Sequence, residues 1–268
     1  MINFDYDLYK NNISISYKLD RAQGLYGDAN NAALVGILGY IFIHQYFITK
    51  NIFQKILKVL LLAISVYALY LTYSTTGFVV FIMSFGLLNF KYFTRERLLI
   101  LPVILIGAYF TLLNLSSLLE GIIDLNPRQQ SKIDNFVNLL KLDFENVDDS
   151  GRDTFVAKLM EYIEQSPFIG NGLEFGSHHH GHNTYLYILS DAGILALIVF
   201  VILLFKYFES IFKIDMSSRL FALAILISFC MFMLSLQTII NQPYLMVVFV
   251  YLAYYIDNKI KNKQYDTE

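Results

Sequence analysis

Apolar residues run through this chain in blocks of about 20, separated by short polar turns. An α-helix rises about 1.5 Å per residue, so roughly 20 apolar residues cross the ~30 Å hydrocarbon layer of a bilayer. The pattern predicts seven spans, at residues 31–49, 56–73, 77–93, 98–118, 184–207, 220–237 and 239–256. The last is the weakest, because Asn241-Gln242-Pro243 interrupts it. Helices are the default way to satisfy backbone polar groups in lipid. The expected fold is therefore all-α: a polytopic helical membrane protein with about seven transmembrane helices and one large external loop between the fourth and fifth.

The lysines and arginines of the short turns set the orientation. Lys50, Lys55 and Lys58 follow the first span, Lys91, Arg95 and Arg97 the third, and Lys206, Lys213 and Arg219 the fifth. Lys259, Lys261 and Lys263 follow the last, whereas the turns at 74–76 and 238–242 hold no basic residue. The alternation puts the C-terminus in the cytoplasm and the N-terminus outside. The expected organisation is an external tail (1–30), four spans (31–118), an external periplasmic-side loop (119–183), two or three spans (184–256) and a cytoplasmic tail (257–268). An N-terminal tail translocated without a preceding span points to the C-terminal portion of a larger architecture, or to a shortened member of its family.

Composition sharpens the class. The chain is 56% hydrophobic and 16% charged, where an ordinary soluble domain carries about 25% charged residues. The net charge of −2 averages basic turns with an acidic loop and identifies no partner. No nucleic-acid partner is expected. The single cysteine, Cys230, lies in an apolar run and leaves no internal disulfide possible. The opening MINFDYDLYKNN lacks the basic and apolar regions of a signal peptide.

Three polar stretches carry the unusual residues, and the topology puts them all outside. The first is YKLDRAQGLYGDANN, with Arg21, Gly24 and Asn30; the second is LTYSTTGF, with Ser74. The third is the long loop, residues 119–183, whose second half belongs to the block from Gly151 to Gly193 that runs on into the fifth span. There, residues 154–165 place Phe155, Val156, Leu159, Met160 and Ile163 at amphipathic spacing. The helix they predict lies along the membrane surface or packs on the spans. Ser166-Pro167 stops it, and Gly170-Asn171-Gly172 makes a tight turn.

Arg152 falls near the start of that helix, where exposed N–H groups and a guanidinium would act together on an anion; the alternative is a solvated loop arginine. Arg21 has the same two readings. His178, His179, His180 and His182 invite a metal, but no cysteine or spaced second histidine pair supports a zinc site. Neither a metal nor a cofactor is expected. His182 differs from its neighbours because Asn183 and a span follow it, which holds it at the membrane surface with a side chain suited to proton transfer near neutral pH. Asp191 lies about two turns into the fifth span. It is either a functional carboxylate or one paired with a tyrosine or a backbone group.

Together these residues resemble the O-antigen ligase and O-antigen polymerase family of bacterial envelope proteins. Arg21-x-x-Gly24 followed by Asn30 is similar to the family's R-x-x-G…N stretch, and LTYSTTGF to its T-x-S-R-x-G turn. Gly151-Arg152, then Pro167-x-x-Gly170-x-Gly172, then His182-Asn183 and Gly193 resembles its most specific block. The resemblance implies a metal-independent glycosyltransferase of the bacterial inner membrane. It would move a glycan from an undecaprenyl-diphosphate carrier to an acceptor hydroxyl, in the ligases a sugar of lipid A-core, with membrane lipids around it. Carried residue by residue, Arg152 matches the arginine that holds the diphosphate and His182 the histidine that activates the acceptor. Arg21, Asn183, Gly170, Gly172, Ser74 and Asp191 are the expected substrate-binding positions. Thr75 departs from the family, standing where its turn carries arginine. Repeat-unit polymerisation is the alternative within the enzyme class. A non-catalytic or truncated assembly partner and a polysaccharide transporter are the alternatives outside it.

Overall fold

A computed structural model describes residues 21–92, 127–141, 143, 152–179, 182–237 and 239–265. All regular structure among them is helical. In chain order the helices are α1 (Ala29–Tyr46), α2 (Ile52–Leu71), α3 (Thr75–Leu88), α4 (Pro127–Leu140), α5 (Arg152–Gln165), the single turn α6 (Phe175–His178), α7 (Thr184–Ile211), α8 (Met216–Met233) and α9 (Pro243–Tyr265).

Six of the seven expected spans coincide with a helix; the fourth, at 98–118, lies outside the described residues. Among the described residues, α2, α7 and α8 are long and apolar enough to cross a membrane, while α3 is apolar but only 14 residues long. The ends moved for local reasons. Helix α8 begins at Met216 because the Asp215 carboxylate accepts the Ser218 amide at 3.0 Å and caps it. Helix α9 begins at Pro243, where proline is favoured because its missing N–H has no helical partner anyway. A 3₁₀ turn at Ile239–Asn241 fills the gap before it.

The chain forms two compact units. In the first, α2 exposes Ile56, Val59, Leu60 and Ile64, an apolar surface on a helix whose polar Gln54, Lys55 and Lys58 all lie in its first two turns. In the second, α8 is the central helix. Phe221, Ile225, Phe229 and Phe232 are fully buried along it, and Phe221 meets Phe42, Tyr46 and Tyr255 edge-on. Ser84 and Ser228 hydrogen-bond inside this unit at 3.2 Å, a polar tie in an apolar bundle. Helix α5 is narrower in its burial than its sequence pattern predicts. Leu159 and Ile163, one turn apart, are buried, while Phe155 and Met160 stay exposed. It packs on α7, as does α6.

Candidate functional site

Helix α7 is broken near its start. Gly193 has φ 77° and ψ −178°, far from helical values. An unbroken helix would pair the Ser190 carbonyl with the Ile194 amide. The break frees both, and the polar loop takes both. Asn171 donates its amide to Ser190 O at 2.8 Å, Gly172 donates to Asp191 O at 3.0 Å, and Ile194 donates to Pro167 O at 2.8 Å. The Asn171 side-chain amide also donates to Ser190 O, at 3.1 Å. A kinked span is tolerated in lipid when other groups re-satisfy its backbone in this way.

Close approach makes two glycines obligatory. A Cβ on Gly170 (φ +72°) would sit 2.3 Å from Asp191 O, and one on Gly193 would sit 2.2 Å from Phe168 O. Left-handed backbone at both positions adds to the exclusion of larger residues. The Pro167-x-x-Gly170-x-Gly172 run is thus a strap laid on the broken rung of α7.

Asp191 fastens the next part of the strap. It is buried at 6% exposure. Its Oδ2 accepts the Glu174 amide and its Oδ1 the Gly176 amide, each at 2.7 Å. Both contacts are pairings with backbone groups. Glu174 has φ 66°, an unfavourable conformation for a residue with a side chain, so the Asp191 contact holds a strained turn in place. The following α6 turn stacks His179 on Phe175 with ring centres 4.3 Å apart, against Tyr162 of α5. His179 Nδ1 also contacts Phe175 O at 2.9 Å. His178 is exposed, and His180 lies outside the described residues.

His182, just before α7, is another positive-φ residue at 45°. Its amide donates to Gln237 Oε1 at 3.2 Å. Asn183 then caps α7, its Oδ1 accepting the amides of Tyr185 at 2.9 Å and Leu186 at 3.1 Å, an arrangement that stabilises a helix by about 1 kcal/mol. Thr184 Oγ1 donates to Leu236 O, and Asn241 Nδ2 to the Tyr187 hydroxyl at 3.0 Å. The connector between α8 and α9 therefore grips the mouth of α7. Gln237 escaped the sequence reading; its only signal is a carboxamide closing an otherwise apolar run.

Arg152 opens α5, and its side chain lies outside the described residues. Arg21 and Ser74 belong to the first unit, where two separate sequence stretches become one hydrogen-bonded cluster. Arg21 Nε donates to Thr72 O at 2.8 Å, and its terminal nitrogen to Asn30 Oδ1 at 3.2 Å. Ser74 Oγ donates to the same Asn30 oxygen at 2.7 Å and accepts the Gly77 amide at 3.0 Å, capping α3.

Long apolar helices, one of them broken, and a polar strap bonded to the break define a helical integral membrane protein. The chain belongs to the O-antigen ligase family, whose sequence signature matches residues 60–201, more than half of its 268 residues. The matched region takes in Ser74, Arg152, the whole strap, His182, Asn183 and Asp191, and leaves Arg21 outside. No curated protein and no solved structure gives a match.

Proposed function

We propose that this chain is a ligase-like glycosyltransferase. Its donor is a glycan on undecaprenyl diphosphate, and its acceptor is a hydroxyl of lipid A-core or another surface glycan, at the external face of the bacterial inner membrane. The observation that carries the reading is the His182–Asn183 step: a histidine held in left-handed backbone by Gln237, directly before a capped span, inside the family's own region.

In the proposed reaction the acceptor oxygen attacks the anomeric carbon as the bond from that carbon to the diphosphate oxygen breaks. Undecaprenyl diphosphate leaves, the configuration inverts, and His182 takes the acceptor proton. Negative charge grows on the leaving diphosphate, so preorganised cations lower the barrier most. Arg152 supplies the bidentate guanidinium for it. The resemblance also implies a cation at Arg21, which lies in the first unit. It donates to Thr72 O, on the turn where Thr75 replaces the family's arginine, so this chain keeps a guanidinium at that turn. Gly170, Gly172 and Asp191 shape the strap, and Asn183 and Ser74 cap the helices whose starts flank the polar segments.

Purified protein in vesicles with lipid-linked glycan tests the assignment. Arg152→Ala and His182→Ala are each expected to lower transfer by about 100-fold or more, the range for a lost charge or proton-transfer group. Wild-type transfer by both variants sinks the proposal. Glycan profiling of a deletion strain separates ligation from polymerisation: polymer left on the carrier indicates a ligase, and lipid A capped by a single repeat indicates a polymerase.

A further inference from the structure

At the other end of α7, far along the helix from His182, the second unit carries a groove lined by none of the residues proposed for glycosyl transfer. It is a cavity of about 230 Å³ between the C-terminal halves of α7 and α9. The two helices meet here: the Tyr207 ring lies against Phe249 at a tilt of 31° with ring centres 4.6 Å apart, and its hydroxyl donates to Phe249 O at 3.3 Å. One turn beyond Phe249, α9 presents only the methyl of Ala253, and the space that opens there is walled by Leu203 and Tyr207. Such a wall suits an acyl chain.

The mouth of the groove is polar and of mixed sign. Lys206 and Ser210 of α7 and Asp257 of α9 all line it. Lys206 pairs with Glu209 at 2.9 Å and Asp257 with Lys261 at 2.7 Å, all at side chains more than 40% exposed. Exposed pairs of this kind contribute little, so either member can exchange its partner for a better one. Glu209 would keep Lys213, which it also contacts at 2.9 Å. A single-sign mouth would fit an anionic headgroup. This mouth offers a cation and a hydroxyl to a phosphate, and a carboxylate to an ammonium.

We propose that the groove between α7 and α9 binds a zwitterionic aminophospholipid, with its phosphate on Lys206 and Ser210, its primary ammonium on Asp257 and the start of one acyl chain against Ala253. The site is independent of the glycosyltransferase reading, because its ligand is neither donor nor acceptor.

The test is lipid binding to the delipidated full chain, read by native mass spectrometry and by the thermal unfolding midpoint in nanodiscs. The probes are phosphatidylethanolamine, phosphatidylcholine and phosphatidylglycerol. Phosphatidylethanolamine should bind one per chain, about fivefold or more tighter than either of the others, since only it donates charge-assisted hydrogen bonds from a primary ammonium beside a phosphate. Asp257→Asn should abolish its advantage over phosphatidylcholine, and Ala253→Leu should weaken all three lipids by filling the groove. Should Ala253→Leu fail to fold, Asp257→Asn, at an exposed position, still decides. Equal binding of phosphatidylglycerol, or an unchanged preference in Asp257→Asn, overturns the proposal.

Discussion

Gly170 and Asp191 touch where a side chain cannot fit: a Cβ on Gly170 would lie 2.3 Å from the Asp191 carbonyl oxygen. The strap and the span are joined at that point by backbone alone. Gly170→Ala should cost about 2–4 kcal/mol, from the clash together with the left-handed backbone. Gly172 also has positive φ, but no atom lies within 4 Å of the Cβ it would gain. Gly172→Ala should therefore cost only the conformational strain, about 1–2 kcal/mol. Thermal unfolding of the two variants side by side checks the order; equal losses would show that the close approach is not rigid.

Asp191 binds two loop amides with one carboxylate. Asp191→Asn keeps one acceptor but turns an NH₂ toward a backbone N–H. The misfit should cost about 1–3 kcal/mol, the penalty for leaving a buried donor unmatched. Hydrogen exchange should speed up at Glu174 and Gly176 first, before any amide of α8. Unaltered exchange at those two amides in the variant would refute the staple.

Gln237 holds His182 by its backbone. Gln237→Leu removes the acceptor, whereas Gln237→Glu keeps one. We expect the leucine variant to fold normally and to lose about tenfold in transfer, a shift of ~1.4 kcal/mol in the barrier. The glutamate variant should retain most activity. A leucine variant with unchanged kcat would separate the carboxamide from the chemistry.

The Asp215 cap makes stability depend on acid pH. Burial pushes its carboxyl up, but the Ser218 amide and hydroxyl, with Lys259 nearby, outweigh it and hold the group below its usual value. A depressed pKa contributes stability above the unfolded value, about 3.9, and loses it as pH falls through the folded one. Asp215→Ala should cost about 1 kcal/mol at pH 7, and the gap from wild type should close below about pH 4. Asp215→Asn, a good uncharged cap, should track wild type at pH 7 and show no such closing. Unfolding midpoints across pH 3–7 read this directly.

The helices were legible in the sequence because the apolar blocks have the length lipid demands; α1, α2 and α7 begin within a few residues of the predicted spans. Their inner faces were less so. Along α5 the amphipathic pattern shows five apolar positions, yet only Leu159 and Ile163 are deeply buried, since periodicity reports a stripe and not which part of it finds a partner. Arg21, Asn30 and Ser74 stood out as separate motifs, but their convergence on one carboxamide is a tertiary fact. The partners of Asp191 were invisible for a stronger reason. They are main-chain N–H groups 15 and 17 residues earlier, and every residue but proline has one. Gly193 stood out as the close of the family-like block, but nothing in the sequence showed that the helix breaks there. Only the loop bonded across it shows that the helix stops there.

That break also sets an order of assembly. The strap at residues 167–176 leaves the ribosome before the carbonyls and the carboxylate of residues 190–191 that will hold it. It carries three left-handed residues, Gly170, Gly172 and Glu174, of which only Glu174 is strained. Its partners are the groups that α7 releases where, at one glycine, its helix is interrupted. The polar loop thus finds its hydrogen-bond partners on α7, which follows it in the chain.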